Sequence, residues 1–312
     1  MDILHCESYY QFVDYHYTGQ DGLPSGIVHV DIQAVPEFFK KIIEYPDRKY
    51  VVVSSRCDFG LCYQSHFPAW KDLISWCSLM AVPDLGYSDI LINARVKRDT
   101  CKLTDKYSIK CYSMTSHTFD EIPKNIVKWF MTQCGILDDE RIVGIPFGVN
   151  VTDGDRSGLE GLINHQYNGP RDKIMYINYS LNSFERVKLR AFYQNEQWVT
   201  IKDNIKQKEY LDDLKSHKFA LCPVGNGIDQ YRIWEAIHCG CIPVVEINEC
   251  TSHLCQLNLP ILAYKSLINL NPSELNEIYS NAQRNWNKFN LAALTESYWR
   301  NTIQSKRTLL SD

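Results

Sequence analysis

Residues 216–245 read SHKFALCPVGNGIDQYRIWEAIHCGCIPVV. The apolar triplet 219–221 predicts a short strand, and Pro223, Gly225, Asn226 and Gly227 predict a turn-rich loop after it. The pattern over 230–239 predicts a helix that Gly240 breaks, and 242–245 predicts a second strand. Strand, loop, helix and strand in series are one unit of a parallel α/β sheet. The same order makes an anion site, because loop N–H groups and the helix dipole converge on one spot. Arg232, in the first helical turn, adds a fixed charge whose fork suits phosphate oxygens. Glu235 shares its helix face and is placed to accept the hydroxyls of a ribose. The stretch reads as a pocket for a nucleoside diphosphate.

Ser216, Phe219, Leu221, Pro223 and Gly225, then Arg232, Glu235–Ala236 and Gly240–Cys241–Ile242–Pro243–Val244, closely resemble the pattern of exostosin-like glycosyltransferases. The pattern is long, ordered and unusual in composition, and Ala220 departs from it where many members carry cysteine. The resemblance implies a GT-B architecture, an α/β fold in which two Rossmann-like domains face each other across a cleft. It also implies transfer of a sugar from a nucleotide donor with inversion at the anomeric carbon. The expected nucleotide-sugar contacts here are Ser216, Pro223, Gly225, Asn226, Gly227, Arg232 and Glu235. Many members of the class are membrane-anchored, and the anchor-free ones resemble enzymes of bacteria or large DNA viruses.

Composition agrees with a soluble globular protein. The 312 residues suffice for two domains, and 45% hydrophobic with 22% charged residues is ordinary for such a chain. A net charge of −4 gives no reason to expect nucleic acid or an anionic membrane as partner. The start, MDILHCESYY, has no basic or apolar leader, and no stretch approaches a membrane span, so the expected compartment is the cytoplasm. The twelve cysteines are then expected as reduced, mostly buried thiols. Cys250, His253 and Cys255 lack a further ligand at zinc-site spacing, so no metal is expected there.

Two domains are expected: 1–150 on the acceptor side, 151–172 as linker, 173–290 for the nucleotide sugar, and 291–312 as a helix crossing back to the first domain. In the first, strands are predicted over 26–32, 49–55, 88–93, 107–112 and 141–145. Helices are predicted over 36–45, 68–79 and 123–134, each opening on a proline. Residues 128–150 also resemble the family's approach to the end of its first domain. In the second, a strand over 174–178, a loop and a helix over 184–193 line the sheet's carboxyl edge. The family's Asn-rich loop followed by Glu-Arg maps onto Asn178, Asn182, Glu185 and Arg186, which nominates Arg186 as a second diphosphate contact. Helices are also predicted over 273–289 and 291–305.

Direct displacement at an anomeric carbon needs a base for the acceptor hydroxyl and stabilisation of the leaving diphosphate. Asp58, in a glycine-containing loop after the strong strand over 50–53, is the first choice of base; His66 is the second. The reading is an inverting transferase that takes a sugar from a UDP-sugar, xylose being one candidate, to a hydroxyl of a glycan acceptor. Fixed cations and the helix start neutralise the diphosphate, so no metal cofactor is required. Two alternatives stand beside it. One is a GT-A type enzyme using Asp153 and Asp155 to hold a divalent ion. The other is a catalytically idle glycan-binding or scaffold protein of the same fold.

Overall fold

A computed structural model describes residues 2–5, 7–55, 62–63, 118–119, 121–134, 139–150, 171–181, 184–225 and 227–311. The chain divides into two compact units, Met1–Phe147 with Ala292–Asp312, and Gly148–Leu291. Each contains a five-stranded, wholly parallel sheet. The fold is α/β in both units.

The first unit orders its strands β1 (Tyr15–His16), β2 (Gly26–His29), β3 (Tyr50–Ser54), β6 (Ile126–Met131) and β7 (Ile142–Gly144). A separate two-residue ladder pairs β4 (Cys62–Tyr63) with β5 (Thr118–Phe119). β3, YVVVS, is buried along its whole length, as expected of a β-branched run with covered faces. The helix Val35–Ile42 lays Val35, Phe38, Phe39 and Ile42 into the core beside Tyr50, Val52 and Trp129. The C-terminal helix Glu296–Gln304 belongs to this unit. There the Ser8 hydroxyl donates to Glu296 at 2.5 Å, Ser297 donates to Asp2, and Gln304 donates to the Phe12 carbonyl at 2.6 Å.

One expectation fails outright. The helix predicted over 123–134 is the strand β6, paired with β3 on one side and β7 on the other. Its proline suggests a first helical turn, but Ile126, Val127, Trp129 and Phe130 prefer a pleated, buried setting. A central place between two strands outweighs the helical spacing. The predictions over 68–79, 88–93 and 107–112 lie outside the described residues.

The second unit orders its strands β12 (Leu262–Tyr264), β11 (Ile242–Glu246), β10 (His217–Leu221), β8 (Lys173–Ile177) and β9 (Val199–Ile201). Counted from β8 this is the doubly wound order 2-1-3-4-5, which reverses between β8 and β10. The helices Phe184–Tyr193, Gln207–Ser216, Tyr231–His238, Glu249–Gln256 and Pro272–Arg284 connect or cover the strands. Their starts follow local chemistry: Asn248 forms a capping box with Thr251, and the Asn271 side chain accepts from the Ser273 amide ahead of Pro272.

Arg171, buried ahead of β8, ties the amino edge of this sheet together. Its guanidinium donates to the carbonyls of Leu214, His217 and Cys239, at 2.8, 2.7 and 2.5 Å. It thereby receives the carboxyl ends of two helices, where the backbone dipole favours a cation. Gly240 has φ +67°, and a Cβ there would lie 2.9 Å from Arg171 Nη2, so glycine is required on both counts.

Candidate functional site

Open α/β sheets bind ligands outside the carboxyl ends of their strands, where the strand order reverses. In the second unit that point lies between β8 and β10, and the two loops leaving it are 178–181 and 222–230. Asn178, at the end of β8, donates from Nδ2 to the Lys202 carbonyl at 2.9 Å, fixing the first loop to the exit of β9. The second loop is closed by a bond from the Gly225 amide to the Gly227 carbonyl at 3.0 Å. Asp229, buried beyond it, accepts from Trp234 Nε1 at 2.6 Å and braces the start of the Tyr231–His238 helix.

Two arginines reach this point from different helices. Arg186 is buried: its Nε donates to the Val224 carbonyl (3.1 Å), Nη1 to Ser180 (3.1 Å), and Nη2 to Pro223 (3.4 Å) and to Gln230 Oε1 (2.5 Å). Arg232 is half-buried, and its Nε has no hydrogen-bond partner among the described residues although it is shut off from water. The ring of Tyr179 lies under both guanidinium groups, 5.3 Å from Arg186 and 5.8 Å from Arg232. A buried donor left without an acceptor costs roughly 1–3 kcal/mol, and none of the described residues supplies one to Arg232 Nε.

Glu235 is only 7% exposed and accepts from the Tyr210 hydroxyl at 2.9 Å. Burial raises its pKa, while Tyr210, the Arg232 charge and a hydrogen bond from Gln207 oppose that rise. Tyr210 and Gln207 both come from the Gln207–Ser216 helix, which fixes the carboxyl group from a second element. Cys222, at the end of β10, has a thiol pushed up to about 12 by burial, against the lowering influence of Arg232 and Arg186. It stays protonated near neutral pH and supplies no nucleophile.

The structure brings together Arg186, Pro223, Gly225, Gly227, Arg232 and Glu235, with Asn178 at the margin. Ser216 stands elsewhere. It ends the Gln207–Ser216 helix at the amino edge of β10, where its hydroxyl donates to the Asp213 carbonyl at 2.8 Å. Asn182, Asn226, Asp58, His66, Asp153 and Asp155 lie outside the described residues. Among the described residues no group of His, Cys, Asp and Glu side chains is arranged to hold a metal ion. No helix among them is long and apolar enough to cross a membrane. Sequence reasoning missed Tyr179, Gln207 and Tyr210. Tyr179 carried a signal in following Asn178 directly; the other two reach Glu235 only through tertiary packing.

Residues 167–308 match the model of the RXYLT1 C-terminal domain. Through this segment, less than half of its length, the chain is similar to the family of that domain. It is also similar to ribitol-5-phosphate xylosyltransferase 1 of Mus musculus, at 28% identity over 156 residues. That alignment covers 48% of this chain and 30% of the mouse protein. The matched segment holds β8 to β12, both loops at the reversal, and Arg186, Arg232 and Glu235.

Proposed function

We propose that the protein is a GT-B glycosyltransferase that moves a pentose, xylose, from a UDP-sugar to a hydroxyl of an alditol phosphate or of a glycan bearing one. The observation that carries this reading is the buried Nε of Arg232, without a partner among the described residues, beside the buried carboxyl of Glu235 at the strand-order reversal of a parallel sheet. The transferred xylose and the acceptor class follow the name of the xylosyltransferase to which the chain is similar, and the UDP carrier follows the sequence expectation. In this reading Arg232 and the start of its helix hold the diphosphate, and Glu235 accepts ribose hydroxyls.

The reaction is a direct displacement. The acceptor oxygen bonds to the anomeric carbon, the bond from that carbon to the diphosphate breaks, and its electron pair leaves with the diphosphate. The acceptor proton passes to a base of the first unit, for which Asp58 and then His66 are proposed. The charge that develops on the leaving oxygen falls where a fixed guanidinium and helix N–H groups can stabilise it, so no metal cofactor is required.

The test is a melting screen over UDP, GDP and their sugars, followed by transfer from UDP-xylose to ribitol 5-phosphate with and without EDTA. UDP and UDP-xylose should raise the melting temperature selectively, since a ligand at about 100 times its Kd adds roughly 2.7 kcal/mol. Transfer should proceed equally in EDTA. Activity lost in EDTA and restored by Mn²⁺ would favour the metal-dependent alternative through Asp153 and Asp155.

A further inference from the structure

The sequence resemblance nominates Arg186 as a direct diphosphate contact, but its geometry serves another end. We propose that Arg186, Gly225 and Gln230 form a clasp that presets the glycine loop, with Arg186 a positioning residue for the anion site. A guanidinium has about five N–H donors. Four of those of Arg186 are spent on three carbonyls, of Ser180, Pro223 and Val224, and on the side chain of Gln230. Gln230 returns a bond from Nε2 to the same Pro223 carbonyl, at 2.5 Å, which closes the network. One side chain thus joins the loop after β8, the loop after β10 and the residue that precedes the Tyr231–His238 helix.

The consequence for the loop is geometric. A trans peptide points its N–H opposite to its C=O, so carbonyls drawn toward Arg186 turn the following amides away from it. The Gly225 amide is then spent on Gly227, which tightens the turn. Gly225 has a reason of its own to lack a side chain. A Cβ there would lie 2.0 Å from Arg186 Nη2 and 2.7 Å from Cζ, inside the guanidinium itself. No unusual φ is involved; the requirement is space for Arg186. Because Gln230 is the N-cap of the helix that carries Arg232, the clasp also fixes where Arg232 begins.

Its consequence for a diphosphate rests on the function proposed above; the clasp itself does not. The test is hydrogen exchange on the ligand-free protein, for wild type, Arg186→Met, Arg186→Lys, Gly225→Ala and the double variant Arg186→Met with Gly225→Ala. Each single variant should speed exchange of the amides over 224–233 by roughly tenfold or more, with β8, β10 and β11 still protected. The double variant should be no worse than Arg186→Met alone, because the new Cβ enters space already vacated. Lysine keeps the charge without the fork, so Arg186→Lys should behave like Arg186→Met. Calorimetry with UDP should then show a roughly tenfold loss for Gly225→Ala, which removes no group that meets a phosphate. Additive single effects, loop exchange unchanged in Gly225→Ala, or UDP affinity rescued by lysine with an undisturbed loop would each overturn the clasp. If Arg186→Met does not fold, Gly225→Ala and Arg186→Lys decide the matter by the same measurements. A wild type that binds no UDP would remove the proposed function and leave the exchange result standing.

Discussion

In their described strands the two sheets have the same number and the same all-parallel pairing, yet only the second reverses its order. Among the described strands, the first sheet runs β1-β2-β3-β6-β7 in chain order, whereas the second runs outward in both directions from β8 and β10. Loops that leave neighbouring strands toward opposite sides of a sheet open a crevice; loops that leave toward the same side do not. Within the second sheet the arginines of the two edges differ as sharply, although His217 Nε2 at the amino edge is also buried without a partner among the described residues. At the amino edge Arg171 is buried and satisfied by three carbonyls. At the carboxyl edge Arg232 keeps a buried Nε with no partner among the described residues. A buried cation that the fold satisfies holds the fold together. One whose buried Nε has no acceptor among the described residues is the group that the proposed function assigns to the diphosphate.

Breaking the amino edge should have the largest effect, and only on stability. Arg171→Ala leaves three carbonyls without their donor, so it should cost at least about 3 kcal/mol in a denaturant titration. UDP affinity of the folded fraction should be unchanged. A simultaneous, larger loss of UDP affinity would mean that the two edges are not separable.

A second prediction concerns His217, which is buried at the same edge, lies tilted against the Tyr176 ring at 4.9 Å and donates from Nδ1 to the Asp213 carbonyl. Burial pushes its pKa down from 6.5 to about 4, aided by Lys173 and Lys202 and opposed by that hydrogen bond and Asp213. Between these values the unfolded chain binds the proton and the folded one does not. The contribution is therefore present above pH 6.5 and lost as pH falls toward 4, by roughly 3 kcal/mol. His217→Gln should flatten that part of the stability–pH curve. An unchanged slope would show that other groups carry it.

The smallest of the three effects belongs to Glu235. Glu235→Gln keeps its shape and its contact with Tyr210 but weakens acceptance of ribose hydroxyls, so UDP affinity should fall roughly tenfold, about 1.4 kcal/mol. Stability near pH 7 should hold or rise, because burial disfavours the charged carboxylate. Equal affinities for UDP in both proteins would remove the ribose role.

Much of the carboxyl edge was legible in the sequence, because Pro223, Gly225 and Gly227 punctuate it and the helix after it shows a clear apolar stripe. The Phe184–Tyr193 helix and strands β3, β8, β10 and β11 were legible for similar reasons. The short strands β9 and β12 were not, since each has three half-buried residues and no alternation to read. β6 was misread because its proline and spacing imitate a helix start while its neighbours in space make it a strand. The partners of Glu235 and the role of Arg171 were hidden for a different reason. Tyr210 meets Glu235 across 25 residues of chain, and Arg171 meets Cys239 across 68. Such pairings follow from topology, and local pattern carries no trace of them.

The central claim, that the Arg232 donor left without a partner among the described residues binds a phosphate, is tested most directly by titrating UDP into wild type and Arg232→Met in a calorimeter, with melting curves on both preparations. Wild type should bind UDP, and the variant should lose roughly a hundredfold in affinity, since a charge-assisted contact is removed while the stem stays. Its melting temperature should hold or rise, because a buried donor without an acceptor has been deleted. Equal UDP affinity in the two proteins, or a variant that melts well below wild type, would contradict the account.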